Sequence, residues 1–121
     1  MGRLPEKGTI VVVARIIPKE GKAARVEELL LKVRASAESD KEPRCKSYRT
    51  VKSLDQPTTF SVFEEYDGAQ GVKEHGRTEA FQTLGKVAKD EDLLVEAPII
   101  HFFTEIGKLH QMEGQKMVSF D

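Results

Sequence analysis

The chain reads as an α+β protein of ferredoxin-like order, β-α-β-β-α-β, in which an antiparallel sheet carries both helices on one face. Two observations carry this reading. Runs rich in β-branched or alternating residues stand at Thr9 to Ile17, Cys45 to Ser53, Thr59 to Tyr66 and Ile99 to Ile106. Between the first and second runs, and again between the third and fourth, apolar residues recur at helical spacing.

The first run, TIVVVARII, stops at Pro18, which has no N–H to offer a sheet ladder. From Gly21 the period lengthens, placing Val26, Leu29, Leu30, Val33 and Ala37 on one helical face. That helix is expected to end before Pro43, because the residue preceding a proline is pushed out of the helical region. CKSYRTVKS and TFSVFEEY flank LDQPT, whose Asp55 and Pro57 form turns, so these strands make an antiparallel hairpin. In the second of them Phe60, Val62, Glu64 and Tyr66 share one face. Asp67 is then the expected N-cap of a helical region, with Gln70 in capping-box position. Gly71, Gly76 and Gly85 weaken that region, and a break is expected near HGRT, with Thr78 capping a second segment. Pro98 opens the last strand and Gly107 closes it.

The 121 residues suit one domain, with a core at about residues 9–107 and a tail at 108–121 expected to be either disordered or laid on a partner subunit. With 19 basic and 20 acidic residues, the chain has no strong field to gather nucleic acid or anionic lipid. Single Cys45 rules out an intrachain disulfide, and the short apolar N-terminal run, broken by Arg15, is no membrane span or signal peptide. A cytoplasmic protein is expected, with no nucleic-acid or membrane partner. Strands such as VVVARII and IIHFF are apolar on both faces, yet two helices cover only one of them. A homodimer, in which a second copy covers the other face, is the expected solution.

IVVVARIIPKEGK followed by EPRCKSYRTVKSLDQPTTFSVFEEYDGAQGVKEHGRTEAF resembles the antibiotic biosynthesis monooxygenase (ABM) family of the dimeric α/β-barrel superfamily. The similarity covers roughly Thr9 to Gly107. It rests on the Glu-Pro before Cys45 and Tyr48, the Asp-x-Pro hairpin, the acidic-aromatic strand end at Glu64, Glu65 and Tyr66, and HGRTEAF. The resemblance implies a dimeric α/β barrel with a pocket between the helices and sheet of each subunit. Members include cofactor-independent monooxygenases that oxidise anthrone-type polyketide intermediates, as well as isomerases and haem-degrading enzymes, so membership defines fold better than function. Two positions depart from the family pattern: the aromatic after the strand acid, often Trp, is Tyr66, and a second helix histidine is Ala80. The haem-degrading branch relies on an Asn, a Trp and a His, and this chain has neither Asn nor Trp.

His75 is the candidate catalytic base, since it stands on the helix facing the implied pocket and imidazole titrates near neutral pH. Its ordinary alternative is a half-buried helix residue bonded to a neighbour. His75 and Glu79 also make an i,i+4 pair that offers two metal ligands, a spacing common by chance. No metal is expected. Glu64 and Tyr66, about 7 Å apart along one strand face, would orient substrate oxygens, or Glu64 would simply pair with Arg15 or Arg49 across the sheet. Tyr48, His101, Phe81 and Arg15 are the substrate-binding candidates. Periodicity leaves open whether His101 faces the pocket or the dimer seam. His110 and Cys45 carry no geometric argument. The expected function is a cofactor-independent monooxygenase acting on an aromatic, anthrone-type molecule with O2. The alternatives are a polyketide cyclase, dehydratase or isomerase that uses the same pocket without O2, and a non-catalytic dimeric small-molecule-binding or stress-response protein.

Overall fold

A computed structural model describes residues 3–107, which form β1 (Thr9–Ile16), α1 (Ala23–Ala37), β2 (Cys45–Lys52), β3 (Phe60–Asp67), α2 (Gly68–Gly76), α3 (Glu79–Asp90) and β4 (Ile99–Thr104). The strands make one antiparallel sheet in the order β2-β3-β1-β4. The expected ferredoxin-like α+β architecture is present, with the second helix divided in two. The tail and His110 lie outside the described residues.

β1 is a central strand, and its β-branched run suits a position paired on both edges. Ile10, Val12, Ala14 and Ile16 turn toward the helices and are buried. α1 buries the five residues its spacing selects, Val26, Leu29, Leu30, Val33 and Ala37, against Ile16, Tyr48, Phe60 and Val62. Each large apolar side chain so buried contributes about 2 kcal/mol.

The helical region breaks where HGRT suggested. The Thr78 hydroxyl accepts from the Phe81 N–H at 3.2 Å and so caps α3. The start of α2 departs from expectation. Asp67 is its N-cap residue but makes no side-chain cap, and there is no capping box with Gln70. Instead Gly68 N–H donates to the Gly8 carbonyl and Ala69 N–H to the Pro5 carbonyl, each at 2.8 Å. The segment before β1 thus satisfies the free amides that a side chain would otherwise have to meet.

α3 is amphipathic yet has no buried residue, and it packs mainly against α1. Arg25 of α1 grips Glu91 with two hydrogen bonds, Nε at 3.1 Å and a terminal nitrogen at 2.9 Å. α3 therefore leans on its neighbour helix and stands off the sheet.

The other sheet face carries Val11 and Val13, with Phe63 and Phe103 exposed at 42% and 50%. Arg15 and His101 belong to this face. Arg15 lies opposite Ser61 and Ile99, and His101 opposite Val13, whose own partner on β3 is Phe63. Neither residue lines the space between helices and sheet: strand alternation turns Arg15 away from its expected place in the pocket, and puts His101, whose face periodicity left open, on the same far side. For the same reason Arg15 and Arg49, opposite Ser61 and Phe63, cannot pair with Glu64. Among the described residues no helix is long and apolar enough to cross a membrane.

Candidate active site

The site forms where β2, β3, α2 and α3 meet. β3 alternation buries Glu64 and Tyr66 beneath the helices, and the register sets Tyr48 of β2 beside Glu64. α2 comes close to β3 because Gly71 allows it: a Cβ there would stand 3.0 Å from the Cβ atoms of both Arg44 and Tyr66. The Arg44 guanidinium also pairs with Glu74, tying the approach to β2 onto α2. Four residues after Gly71, and so on the same helical face, His75 is carried over the sheet. Its ring lies 5.4 Å from those of Tyr48 and Tyr66 and 5.2 Å from that of Phe81, the last edge-on.

A polar chain runs through this aromatic cluster. The His75 Nδ1–H donates to Glu42 Oε1 at 2.6 Å, and the Ser36 hydroxyl donates to Glu42 Oε2 at 2.8 Å. On the opposite edge of the ring, Nε2 lies 3.8 Å from Glu64 Oε1, which accepts from the Tyr66 hydroxyl at 2.5 Å. Glu42, Glu64 and His75 are only 3%, 6% and 5% exposed. An ionised carboxylate can only accept, so the bond to Glu42 assigns the imidazole proton to Nδ1 and leaves the Nε2 lone pair free.

Burial pushes the Glu64 carboxyl above its ordinary value; the Tyr66 hydroxyl acts in the opposite sense, as does His75 when its ring is protonated. Burial first, and then the Glu64 charge, drive both Tyr48 and Tyr66 far up, so both phenols keep their protons and remain donors. Cys45 is raised to about 11, again chiefly by burial, which makes it a poor nucleophile.

His75, Glu64 and both tyrosines line a cavity of about 560 Å³ between α2, α3 and the sheet. The strand register gives it polarity. Glu64 lies in one cross-strand row with Tyr48 and Val12, while the next row toward the end of β1 holds Val62, Ala14 and Ile100. Leu84, Gly85 and Ala88 of α3 roof the cavity, which is polar at the His75 end, apolar along Val62, Ala14 and Ile100, and also lined by Lys89, Asp92 and Glu96. A second hollow, about 660 Å³, is rimmed by charged side chains such as Lys41 and Arg77 and contains none of the buried titratable cluster. The apolar cavity is accordingly the candidate active site.

Five of the seven candidate residues, Tyr48, Glu64, Tyr66, His75 and Phe81, converge on this cavity. Arg15 and His101 do not. Sequence reasoning missed Glu42 as a site residue: it stands before Pro43 in a connection where a charged side chain reads as solvated, and only the Glu-Pro pair pointed to it. His75 and Glu79, spaced as helix neighbours, fall on different helices, which undoes the ligand pair. Among the described residues no three His, Cys, Asp or Glu side chains are grouped to hold a metal ion.

The sequence profile of the family described as antibiotic biosynthesis monooxygenase matches residues 9–86. The chain belongs to this family. Among solved structures, it is similar to a candidate antibiotic biosynthesis monooxygenase from Caulobacter crescentus CB15, at 28% identity and TM-score 0.73, over 85% of this chain and 94% of that one. A Pseudomonas aeruginosa protein shares the ABM fold at TM-score 0.75 and 20% identity, over 88% and 100% of the two chains. So does a Mycobacterium tuberculosis protein at TM-score 0.73 and 20% identity, over 84% and 99%. No curated protein is similar to the chain at a comparable level. The ABM match covers the strand end, α2, α3 as far as Lys86, and every residue of the buried cluster from Ser36 to His75.

Proposed function

We propose that this ABM protein is a cofactor-independent monooxygenase that oxidises an aromatic, anthrone-type molecule with O2. The observation that carries the reading is the Glu42–His75 pair, buried beside an apolar cavity with Nε2 directed away from Glu42. An anthrone methylene is acidic because the resulting anion is delocalised. His75 Nε2 takes that proton, Glu42 stabilises the imidazolium, and the dry cavity keeps the anion reactive. The anion passes one electron to O2, and the carbon radical and superoxide combine to form a C–O bond. The proton held by His75 completes the hydroperoxide. Removal of the second C–H proton by Nε2 then breaks the O–O bond; hydroxide leaves and collects that proton as water. The balance is CH2 plus O2 giving C=O plus water, and His75 ends as it began. Tyr48 and the Tyr66–Glu64 pair orient the substrate oxygens, and Phe81 packs against the substrate ring.

The cavity speaks against a purely structural role, because a silent domain would fill this space with side chains. Proton-transfer chemistry without O2, as in a cyclase or isomerase, would use the same pair and is separated by oxygen consumption. Uptake of O2 with emodin anthrone above the spontaneous rate, lost in His75→Ala at saturating substrate, is the expected result. Catalysed turnover without O2 uptake would move the protein to the proton-transfer class. The uncovered sheet face bearing Phe63 and Phe103 supports a homodimer as the working form.

A further inference from the structure

Gly85 stands in the middle of α3, where a glycine costs about 1 kcal/mol relative to alanine. Of the α2 glycines, Gly68 and Gly71 have structural reasons to be glycine, while Gly76, where a Cβ would likewise meet nothing within 4 Å, is the last residue of its helix and not an interior one. Gly68 has φ +71°, and Gly71 has a Cβ position pressed to 3.0 Å against β3 and its flank. Gly85 has neither reason: it is helical, and a Cβ built on it meets nothing within 4 Å. It does line the cavity, one turn beyond Phe81 and so about 6 Å farther from the His75 end. Ala14 and Ile100 of the sheet line the same cavity.

We propose that Gly85 is a specificity-determining residue: it leaves room for the distal rings of a flat, fused-ring substrate whose ionisable oxygen or carbon is held at His75. The proposal rests on the reading of this cavity as the substrate site. A side chain at Gly85 shortens the cavity at its apolar end and leaves the Glu42–His75 pair untouched, so it selects against long ligands and tolerates short ones. The substrate class that follows is a tricyclic or larger aromatic.

The test compares wild type, Gly85→Ala and Gly85→Leu for binding of 1-naphthol, with two rings, and anthrone, with three, under nitrogen so that no oxidation intervenes. The ratio of the anthrone Kd to the naphthol Kd is expected to rise about tenfold or more in Gly85→Leu, and less in Gly85→Ala. Both variants are expected to melt at or above the wild-type temperature, since each removes a helix-interior glycine. A ratio that stays within about twofold of wild type overturns the proposal, as does a wild type that binds neither probe. A Gly85→Ala variant that melts well below wild type overturns it too, because the glycine would then serve the fold. Wild-type protein that binds anthrone with the expected ratio shift but consumes no O2 leaves the role of Gly85 standing and removes only the monooxygenase reading.

Discussion

His75 donates its Nδ1 proton to Glu42 across 2.6 Å, between two residues 33 positions apart in the chain and each almost fully buried. Glu42 Oε2 accepts in turn from the Ser36 hydroxyl, so both oxygens of this buried carboxyl group have a hydrogen-bond partner. This pair sets the tautomer of the imidazole and holds its ring at the cavity wall, with Nε2 on the Glu64 side.

Glu42→Gln keeps an oxygen for the Nδ1–H but removes the charge that stabilises an imidazolium. At saturating substrate kcat is expected to fall about 10²-fold while KM changes little, because the lost interaction strengthens as the proton is transferred. Steady-state kinetics decide it; an unchanged kcat would leave Glu42 with a structural role only.

Glu64 makes stability fall with rising pH. Its folded-state carboxyl titrates above the unfolded value, so the native chain binds the extra proton, and the stabilisation is complete below the unfolded value of about 4.3. It is lost as pH rises from there through the raised folded value. Thermal melts across this window should show Glu64→Gln declining less steeply than wild type. Parallel slopes would show that Glu64 is not the group responsible.

Gly71→Ala would drive a methyl group to within 3.0 Å of Arg44 and Tyr66 and lift α2 from β3. The expected cost is about 1–3 kcal/mol in denaturant titration, the range for overpacking. Turnover should suffer beyond the stability loss, because His75 rides on the displaced helix. Full activity at a temperature where the variant is folded would argue that the position of α2 is not critical.

Phe63→Lys places a charge in the middle of the uncovered sheet face, far from the cavity. If two copies meet through this face, sedimentation equilibrium should show dimeric wild type and a variant shifted to monomer. A variant that sediments like wild type would place the interface elsewhere.

What the residues announce by themselves is periodicity. In α1 the spacing of Val26, Leu29, Leu30, Val33 and Ala37 named the buried stripe, and in β3 alternation put Phe60, Val62, Glu64 and Tyr66 together, since each pattern is a local consequence of backbone geometry. Thr78 likewise marked the helix break, because its cap is closed within three residues. Tertiary structure decided what local geometry leaves free. β1 is apolar at Val11 and Val13 as well as at Ile10 and Val12, so alternation could not tell which parity meets the helices, and Arg15 and His101 fell on the far side. The cap of α2 passed from the expected Asp67 and Gln70 side chains to backbone carbonyls of the preceding segment, and Glu42 moved from an expected loop charge to the partner of His75. Both depend on segments distant in sequence being brought together by the packing of α1 and α2 on the sheet. A contact of that kind has no period to announce it.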